Sequence, residues 1–268
     1  MKIEVLEPHG FCAGVTGALR KAMELGRTVG PVYCLHELVH NELVVASLKK
    51  LGFVFVESVA EVPEGATVLF SAHGVSPAVR AEAAARRLQV VDATCPFVTR
   101  VHKAARAFAD QGLPVVILGH PKHAEVRGIM GEVPDPIVVE SLAAMPVLPP
   151  RFGVVSQTTL NADEVASSVA QLKTSHDVET MAEVCHATKE RQDAVKAFDG
   201  DALLVLGSAN SSNTKRLCEV ARCRTFRAGT LDEVRGQDFT GVGRLGVTSG
   251  ASTPEDFFDA VIRELEGK

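Results

Sequence analysis

Three cysteines occupy similar positions along the chain and could do chemistry together. Cys12, Cys95 and Cys185 each stand at the predicted start of a helix, in GFCAGVTGALRKA, ATCPFVTRVHKAA and EVCHATKERQDAV. A thiol at a helix N-terminus lies near the positive end of the helix dipole, which lowers its pKa and favours its use as a nucleophile or metal ligand. A single cysteine is more often a core residue, so the shared position is what favours function here.

Polar residues follow each cysteine at regular intervals. A strand and a polar loop come 26 to 28 residues after each cysteine and reach His40, His123 and Ser211. A second strand ends 61, 63 and 65 residues after the cysteines, at His73, Thr158 and Gly250. This spacing predicts three repeats of one structural unit.

The elements that must position these residues are short buried strands and amphipathic helices. Apolar runs at 66–70, 114–118, 152–156, 202–207 and 244–248 alternate with helical periodicity, which predicts an α/β fold with parallel strands. We expect three pseudo-equivalent units, at 1–94, 95–184 and 185–268. Each is small for a separate core, so we expect a trefoil whose strand ends face one central pocket.

Three thiolates around one axis suit an iron–sulfur cluster better than zinc. Structural zinc usually draws its ligands as closely spaced pairs, and the chain contains no C-x-x-C. Iron–sulfur clusters prefer thiolates and accept wide spacing. A 4Fe-4S cluster held by three cysteines would keep its fourth iron without a protein ligand, free to act on a substrate oxygen and pass electrons to it.

Titratable residues of the loops divide into candidate functional and structural groups. His40, His73 and His123 share the repeat positions, whereas a structural interpretation is preferred for His36, His102, His120, His176 and His186, of which His36 and His120 flank the pocket. Glu125 is a candidate acid, because a buried carboxyl group beside a negative ligand holds its proton; surface exposure is the alternative. Cys34 is assigned to the core, and Cys218 and Cys223 to helix packing or the surface.

The turn GSANSSNTKRL at 207–217 predicts an anion site. Backbone N–H groups at a helix start can hold a phosphate, although Ser211, Ser212 and Asn213 could equally form an N-cap cluster. Convergence with His40, His73 and Ser252 favours the anion. The match GVGRLG at 241–246 precedes a strand and opens no helix, so a dinucleotide site is not expected.

Bulk composition excludes several classes of partner. The 268 residues carry a net charge of −5 and no long basic run, which argues against nucleic acid. No stretch approaches the roughly 20 apolar residues of a membrane span, and the start lacks a signal peptide, so we expect no membrane partner and a cytoplasmic location with reduced thiols.

The chain resembles the LytB or IspH family of 4-hydroxy-3-methylbut-2-enyl diphosphate reductases over essentially its whole length. The resemblance is carried by GFCAGV, HELVHN, SAHGVS, DATCPFV, LGHPKHAEVRG, SQTTL, CHATKERQDAV, GSANSSNTKRL and TSGASTPED. It implies a three-lobed α/β fold around one cluster. The implied reaction removes the allylic hydroxyl of the substrate with two electrons and protons, giving isopentenyl and dimethylallyl diphosphates. Ala124 and His186 depart from residues common in the family.

The resemblance also implies roles for residues and partners. It assigns the cluster to Cys12, Cys95 and Cys185, and proton delivery to Glu125 with Thr158 and His123. The implied diphosphate ligands are His40, His73, Ser211, Ser212, Asn213 and Ser252. No flavin or nicotinamide site is evident, so electrons are expected from a separate protein such as ferredoxin or flavodoxin. Two alternatives stay open, a lyase related to quinolinate synthase and a non-catalytic electron carrier.

Overall fold

A computed structural model describes residues 1–28 and 30–267 and shows twelve strands and ten α-helices in this part of the chain. The strands are β1 Lys2–Val5, β2 Val32–Leu35, β3 Phe53–Val56, β4 Thr67–Phe70, β5 Gln89–Asp92, β6 Val115–Leu118, β7 Ile137–Val139, β8 Arg151–Ser156, β9 Asp177–Met181, β10 Ala202–Leu206, β11 Arg224–Ala228 and β12 Arg244–Ser249. The helices are α1 Ala13–Thr28, α2 Glu42–Lys50, α3 Pro77–Ala85, α4 Pro96–Asp110, α5 Ala124–Met130, α6 Ala162–Lys173, α7 His186–Ala197, α8 Ser212–Val220, α9 Leu231–Arg235 and α10 Glu255–Glu266. None of the helices in these residues is long and apolar enough to cross a lipid bilayer.

The strands form three parallel four-stranded sheets with one shared order. The first lobe has the order β3-β2-β4-β5, the second β7-β6-β8-β9, and the third β11-β10-β12-β1. All registered pairs are parallel. The predicted α/β fold of three pseudo-equivalent units is therefore confirmed, and the five apolar runs coincide with β4, β6, β8, β10 and β12.

Strand β1 belongs to the third sheet, although the repeat pattern predicts that residues 1–94 form the first unit. Its residues pair with β12, from Lys2 opposite Arg244 to Val5 opposite Val247. The shared strand order gives the physical reason. Strands β5 and β9 end the first and second sheets and run into the next lobe, and β1 is the equivalent edge strand of the third sheet. The N-terminal strand thus closes the ring of lobes.

Each cysteine of interest stands where the chain crosses from one lobe to the next. Helix α1 packs in the core of the first lobe, around Val32 and Leu69, although the preceding strand lies in the third. Helix α4 packs against β6 and β8 of the second lobe with Val101 and Ala105 on its buried stripe, as its periodicity predicts. Three such crossings around one axis bring distant parts of the sequence together.

Candidate active site

All twelve residues that the sequence analysis selected line one cavity of about 120 Å³ at the centre of the three lobes. They are Cys12, His40, His73, Cys95, His123, Glu125, Thr158, Cys185, Ser211, Ser212, Asn213 and Ser252. The cavity lies beyond the carboxyl ends of the strands, where parallel α/β sheets bind ligands. The side chains thus converge from all three lobes, while their chemical roles stay predictions.

The three cysteines are held by equivalent backbone hydrogen bonds. The N–H of Cys12 donates to the carbonyl of Ala251 at 3.0 Å, that of Cys95 to Ala72 at 3.1 Å, and that of Cys185 to Thr158 at 3.0 Å. The three acceptors stand just after β12, β4 and β8, which are inner strands of the three sheets. The same main-chain bond at each crossing therefore points one thiol toward the shared axis.

The expected lowering of cysteine pKa by the helix N-terminus is wrong for two of the three thiols. Burial raises the pKa of Cys95, against hydrogen bonds from the backbone N–H groups of Phe97 and Val98. Burial also raises the pKa of Cys185, against the hydroxyl and backbone N–H of Thr188. Desolvation outweighs the helix terminus at both positions. A bound metal would deprotonate both thiols.

The surroundings of the thiols fit a multi-iron cluster. A Cβ atom on Gly14 would lie 2.7 Å from the Cys95 sulfur and 3.8 Å from the Cys12 sulfur, so glycine keeps the space between them open. Within residues 1–28 and 30–267, no three His, Cys, Asp or Glu side chains are arranged to hold one metal ion. A cluster does not require that arrangement, because each thiolate binds a different iron.

Thr188 is a member of the site that sequence reasoning missed. Its hydroxyl lies 3.0 Å from the Cys185 sulfur, and the residue is buried one turn into α7. Hydrogen bonds to sulfur tune iron–sulfur centres. The signal was a hydroxyl three residues after the cysteine, a spacing that places both at the start of one helix.

Glu125 is a buried carboxyl group held by one residue. Its Oε1 accepts the backbone N–H of Thr158 at 2.7 Å, and its Oε2 accepts the Thr158 hydroxyl at 3.0 Å. Burial raises the pKa of Glu125 to about 7, although both hydrogen bonds lower it. The prediction that this carboxyl group is buried is confirmed, and the alternative of surface exposure is wrong.

The three predicted histidines form one cluster. Ring centroids lie 4.3 Å apart for His40 and His73, 5.4 Å for His40 and His123, and 5.7 Å for His73 and His123. Burial, reinforced by the neighbouring histidines, lowers the pKa of His123 to about 3 and that of His73 well below 6.5. Both rings are thus neutral at pH 7.

Hydrogen bonds fix the orientation of the His123 and His40 rings. The Nδ1 of His123 accepts the backbone N–H of Glu125 at 3.2 Å and caps α5, which places the proton of the neutral ring on Nε2. The Nδ1 of His40 lies 2.9 Å from the carboxylate of Glu37, which also accepts the amide of Asn210 at 3.0 Å. Glu37, another residue missed from the sequence, therefore ties the first lobe to the third.

The loop before α8 combines helix capping with unpaired polar groups. The Ser211 hydroxyl accepts the N–H of Thr214 and caps α8, so the N-cap interpretation holds for this residue. Ser212 contacts Thr159 of the second lobe at 3.0 Å between hydroxyls, and Ser252 donates to the carbonyl of His40 at 3.2 Å. Asn213 is 5% exposed, and neither polar atom of its side chain has a partner among the residues that the structure describes. Buried unpaired polar atoms in a cavity indicate a ligand.

The histidines and cysteines given a structural interpretation lie outside the cavity. His102 is buried against Glu132, His176 packs edge-on against Phe152, and His186 is 84% exposed. Cys34 lies in the first-lobe core, where burial raises its pKa to about 12, and Cys218 and Cys223 pack on the third-lobe core. His36 and His120 line a wider recess of about 630 Å³ outside the cavity. The recess and the cavity share the lining residues His40, His123 and Ser212.

Comparisons with known proteins agree over the whole chain. A sequence model of the LytB protein family matches residues 3–266. The 4-hydroxy-3-methylbut-2-enyl diphosphate reductase of Acidithiobacillus ferrooxidans is 40% identical over 284 residues, which cover 100% of this chain and 89% of that protein. The reductase of the same name from Chlamydia trachomatis is 42% identical over 280 residues, covering 99% and 91%.

Two solved structures of such reductases resemble the fold. The E-1-hydroxy-2-methyl-but-2-enyl-4-diphosphate reductase of Plasmodium falciparum matches with a TM-score of 0.93 and 31% identity, over 98% of this chain and 87% of that one. An (E)-4-hydroxy-3-methyl-but-2-enyl diphosphate reductase, described as the terminal enzyme of the non-mevalonate pathway, matches with a TM-score of 0.72 and 34% identity, over 100% and 99%.

Proposed function

This chain belongs to the LytB protein family, and from that membership we propose that it reduces 4-hydroxy-3-methylbut-2-enyl diphosphate. The allylic hydroxyl leaves as water, and two electrons and two protons enter, giving isopentenyl and dimethylallyl diphosphates. The observation that carries the proposal is the convergence of three thiols, three histidines and a buried carboxyl group on one cavity.

Cys12, Cys95 and Cys185 hold a 4Fe-4S cluster in this proposal. When bound, the cluster provides electrons and, at the iron without a protein ligand, a Lewis acid for the substrate oxygen. The burial of Cys95 and Cys185, the open space beside Gly14 and the Thr188 contact support this ligand set. Electrons come from an external carrier protein, ferredoxin or flavodoxin.

The polar end of the cavity binds the diphosphate. His40 and His73 line this end with their rings, Ser211 and Ser212 donate from their hydroxyls, and Asn213 donates from an amide that has no other partner among the described residues. Ser252 completes the set by turning its hydroxyl from the His40 carbonyl to the ligand. The net charge of −5 gives no long-range attraction, so local hydrogen bonds carry the affinity.

Glu125 delivers the proton that makes the hydroxyl a better leaving group. Its burial keeps the carboxyl group protonated below about pH 7, and Thr158 fixes both of its oxygens. His123 is neutral and carries its proton on Nε2, so it can donate a hydrogen bond to the substrate without adding a charge. Thr158 can exchange its bond to Glu125 for one to the substrate hydroxyl.

Turnover by anaerobically reconstituted protein tests this function. With a chemical reductant, the protein should consume the allylic diphosphate and form both isomeric products, as measured by mass spectrometry. A Cys95→Ser variant with the same fold is the control and should be inactive. Turnover without reductant would instead identify a lyase, and a loaded protein that ignores the substrate would contradict the proposal.

A further inference from the structure

Arg191 is a buried positive charge beside the cysteine cluster. It lies on α7 and is 2% exposed. Among the residues that the structure describes, it is the only buried lysine or arginine. An arginine stays protonated in proteins, so its charge is present inside the fold. A buried charge without a counter-ion is unfavourable, which raises the question of its partner.

Neutral carbonyl groups are the hydrogen-bond partners of this guanidinium. Its Nη1 donates to the carbonyl of Ala187 at 2.8 Å, and its Nη2 to those of Gly10 at 2.9 Å and His9 at 3.3 Å. Its Nε has no partner among the described residues. Two carboxylates, those of Glu7 and Glu190, interact electrostatically with the guanidinium. Both side chains are at least half exposed, so solvent screens this interaction.

Two of the three proposed cluster ligands adjoin these contacts. Ala187 follows Cys185 by two residues, and Gly10 precedes Cys12 by two. The guanidinium therefore joins the two chain crossings that carry those cysteines. Burial lowers the pKa of Arg191, whereas the charges of the Cys12 and Cys185 thiolates oppose this effect. A cluster held by Cys12 and Cys185 would therefore place a buried negative charge beside the two chain segments that Arg191 joins.

We propose that Arg191 is the counter-ion of the iron–sulfur cluster and raises its reduction potential. The proposal rests on the proposed function, because it needs the cluster at Cys12, Cys95 and Cys185. Reduction adds one electron and one negative charge to the cluster without making or breaking a bond. A fixed cation in a site of low dielectric stabilises the more negative form, so its removal makes reduction harder.

Redox titration of the loaded protein tests the proposal. Dithionite provides the electron through mediators, and the signal of the reduced cluster is followed by electron paramagnetic resonance. Arg191→Gln removes the charge but keeps an amide donor, and should disfavour reduction at least tenfold, which is about 59 mV for a one-electron couple. Arg191→Lys keeps the charge, so its reduction potential should fall by less than half as much as that of Arg191→Gln.

Lys189→Gln is the matched control on the same helix. Lys189 is exposed and paired with Asp193, so solvent screens its charge and its removal should leave the potential unchanged. An unchanged potential in loaded Arg191→Gln would overturn the proposal. Equal shifts of the reduction potential in Arg191→Gln and Arg191→Lys would also overturn it. The hydrogen bonds of Arg191, and not its charge, would then be the cause.

If Arg191→Gln assembles no cluster, a variant with a titratable side chain tests the effect of the charge on the reduction potential. Arg191→His carries the charge at low pH and loses it at high pH, so its potential should fall relative to wild type as the pH rises. A pH-independent difference from wild type would contradict the proposal. Failure of the wild-type protein to bind iron would instead contradict the proposed function, and the iron content of each sample separates the two failures.

Discussion

Two opposing effects set the pKa of Glu125, the residue that we propose as the general acid. Burial favours the neutral carboxyl group, and the two hydrogen bonds from Thr158 favour the carboxylate. Burial is the larger effect, since the pKa rises to about 7. The carboxyl group can therefore give up a proton near neutral pH, which a surface glutamate with a pKa near 4.5 cannot do.

The first prediction concerns Glu125→Gln. The amide can keep both contacts to Thr158, but it has no acidic proton, so turnover should fall by about 10²-fold or more. Wild-type turnover should also decline as the pH rises above about 7, because Glu125 ionises, and the variant should lack this limb. Affinity for inorganic diphosphate is the folding control and should stay within about twofold. Unchanged turnover would remove Glu125 from the mechanism.

The second prediction concerns proton uptake by the histidine cluster. His73 is neutral at pH 7 because burial and neighbouring histidines lower its pKa, and a bound anion should raise that pKa again. Binding of inorganic diphosphate should therefore take up a proton, and affinity should increase as the pH falls toward 6. Calorimetry in buffers of different ionisation enthalpy measures this uptake.

His73→Gln is the matched variant, since it keeps a donor without a titrating ring. The difference in proton uptake between wild type and this variant cancels the titration of the ligand. Equal uptake by the two proteins would show that His73 stays neutral in the complex.

At the scale of elements, one backbone motif explains why the site forms. The edge strand of one sheet is followed by a cysteine and then by the first helix of the next lobe. The cysteine N–H donates a hydrogen bond to a carbonyl of the preceding lobe. Regular spacing of residues made these elements predictable from the sequence. The pairing of β1 with β12 was not predictable in this way, because the two strands are almost 240 residues apart and no local pattern encodes their contact.

The burial of the Cys95 and Cys185 thiols was the other property that the sequence did not reveal. The position of Cys95 and Cys185 at a helix start is a local property, whereas their pKa also depends on burial and on side chains distant in the sequence, those of Cys12 and Glu125. The same limit hid Thr188 and Glu37, whose polar side chains look ordinary until their partners are known. By contrast, the helix that starts after Cys95 was predicted, because its periodicity is a local property of the sequence.

The third prediction compares two glycines of α1. Gly14→Ala would place a methyl group 2.7 Å from the Cys95 sulfur, so it should reduce iron bound after reconstitution several-fold. Gly17→Ala is the matched control, because a Cβ there meets nothing within 4 Å. It should stabilise the helix by up to about 1 kcal/mol and leave iron content unchanged. Full iron binding by Gly14→Ala would show that the space beside the thiols is not needed.

At the scale of the whole molecule, the ring of lobes depends on its N-terminal strand. Ile3 of β1 packs on the core of the third lobe around Leu245 and Val247, and the chain then runs into Cys12 of the first lobe. Loosening β1 should therefore affect the site as well as the fold.

The fourth prediction compares Ile3→Asp with Val5→Asp. A charge at Ile3 is forced against the third-lobe core and should lower the free energy of unfolding by about 2 kcal/mol. Val5 lies in the same strand but is 39% exposed, so its substitution should cost less than half as much. Urea denaturation measures both, and iron content should fall only for Ile3→Asp. Equal effects would show that β1 acts simply as a surface strand.

Mössbauer spectroscopy of the anaerobically reconstituted protein tests the central claim most directly. If Cys12, Cys95 and Cys185 hold a 4Fe-4S cluster, three irons have a cysteine ligand and one does not. Addition of the allylic diphosphate should then change the signal of one iron in four and leave the other three as they were. A spectrum in which all four irons keep their signals at saturating substrate would contradict the account.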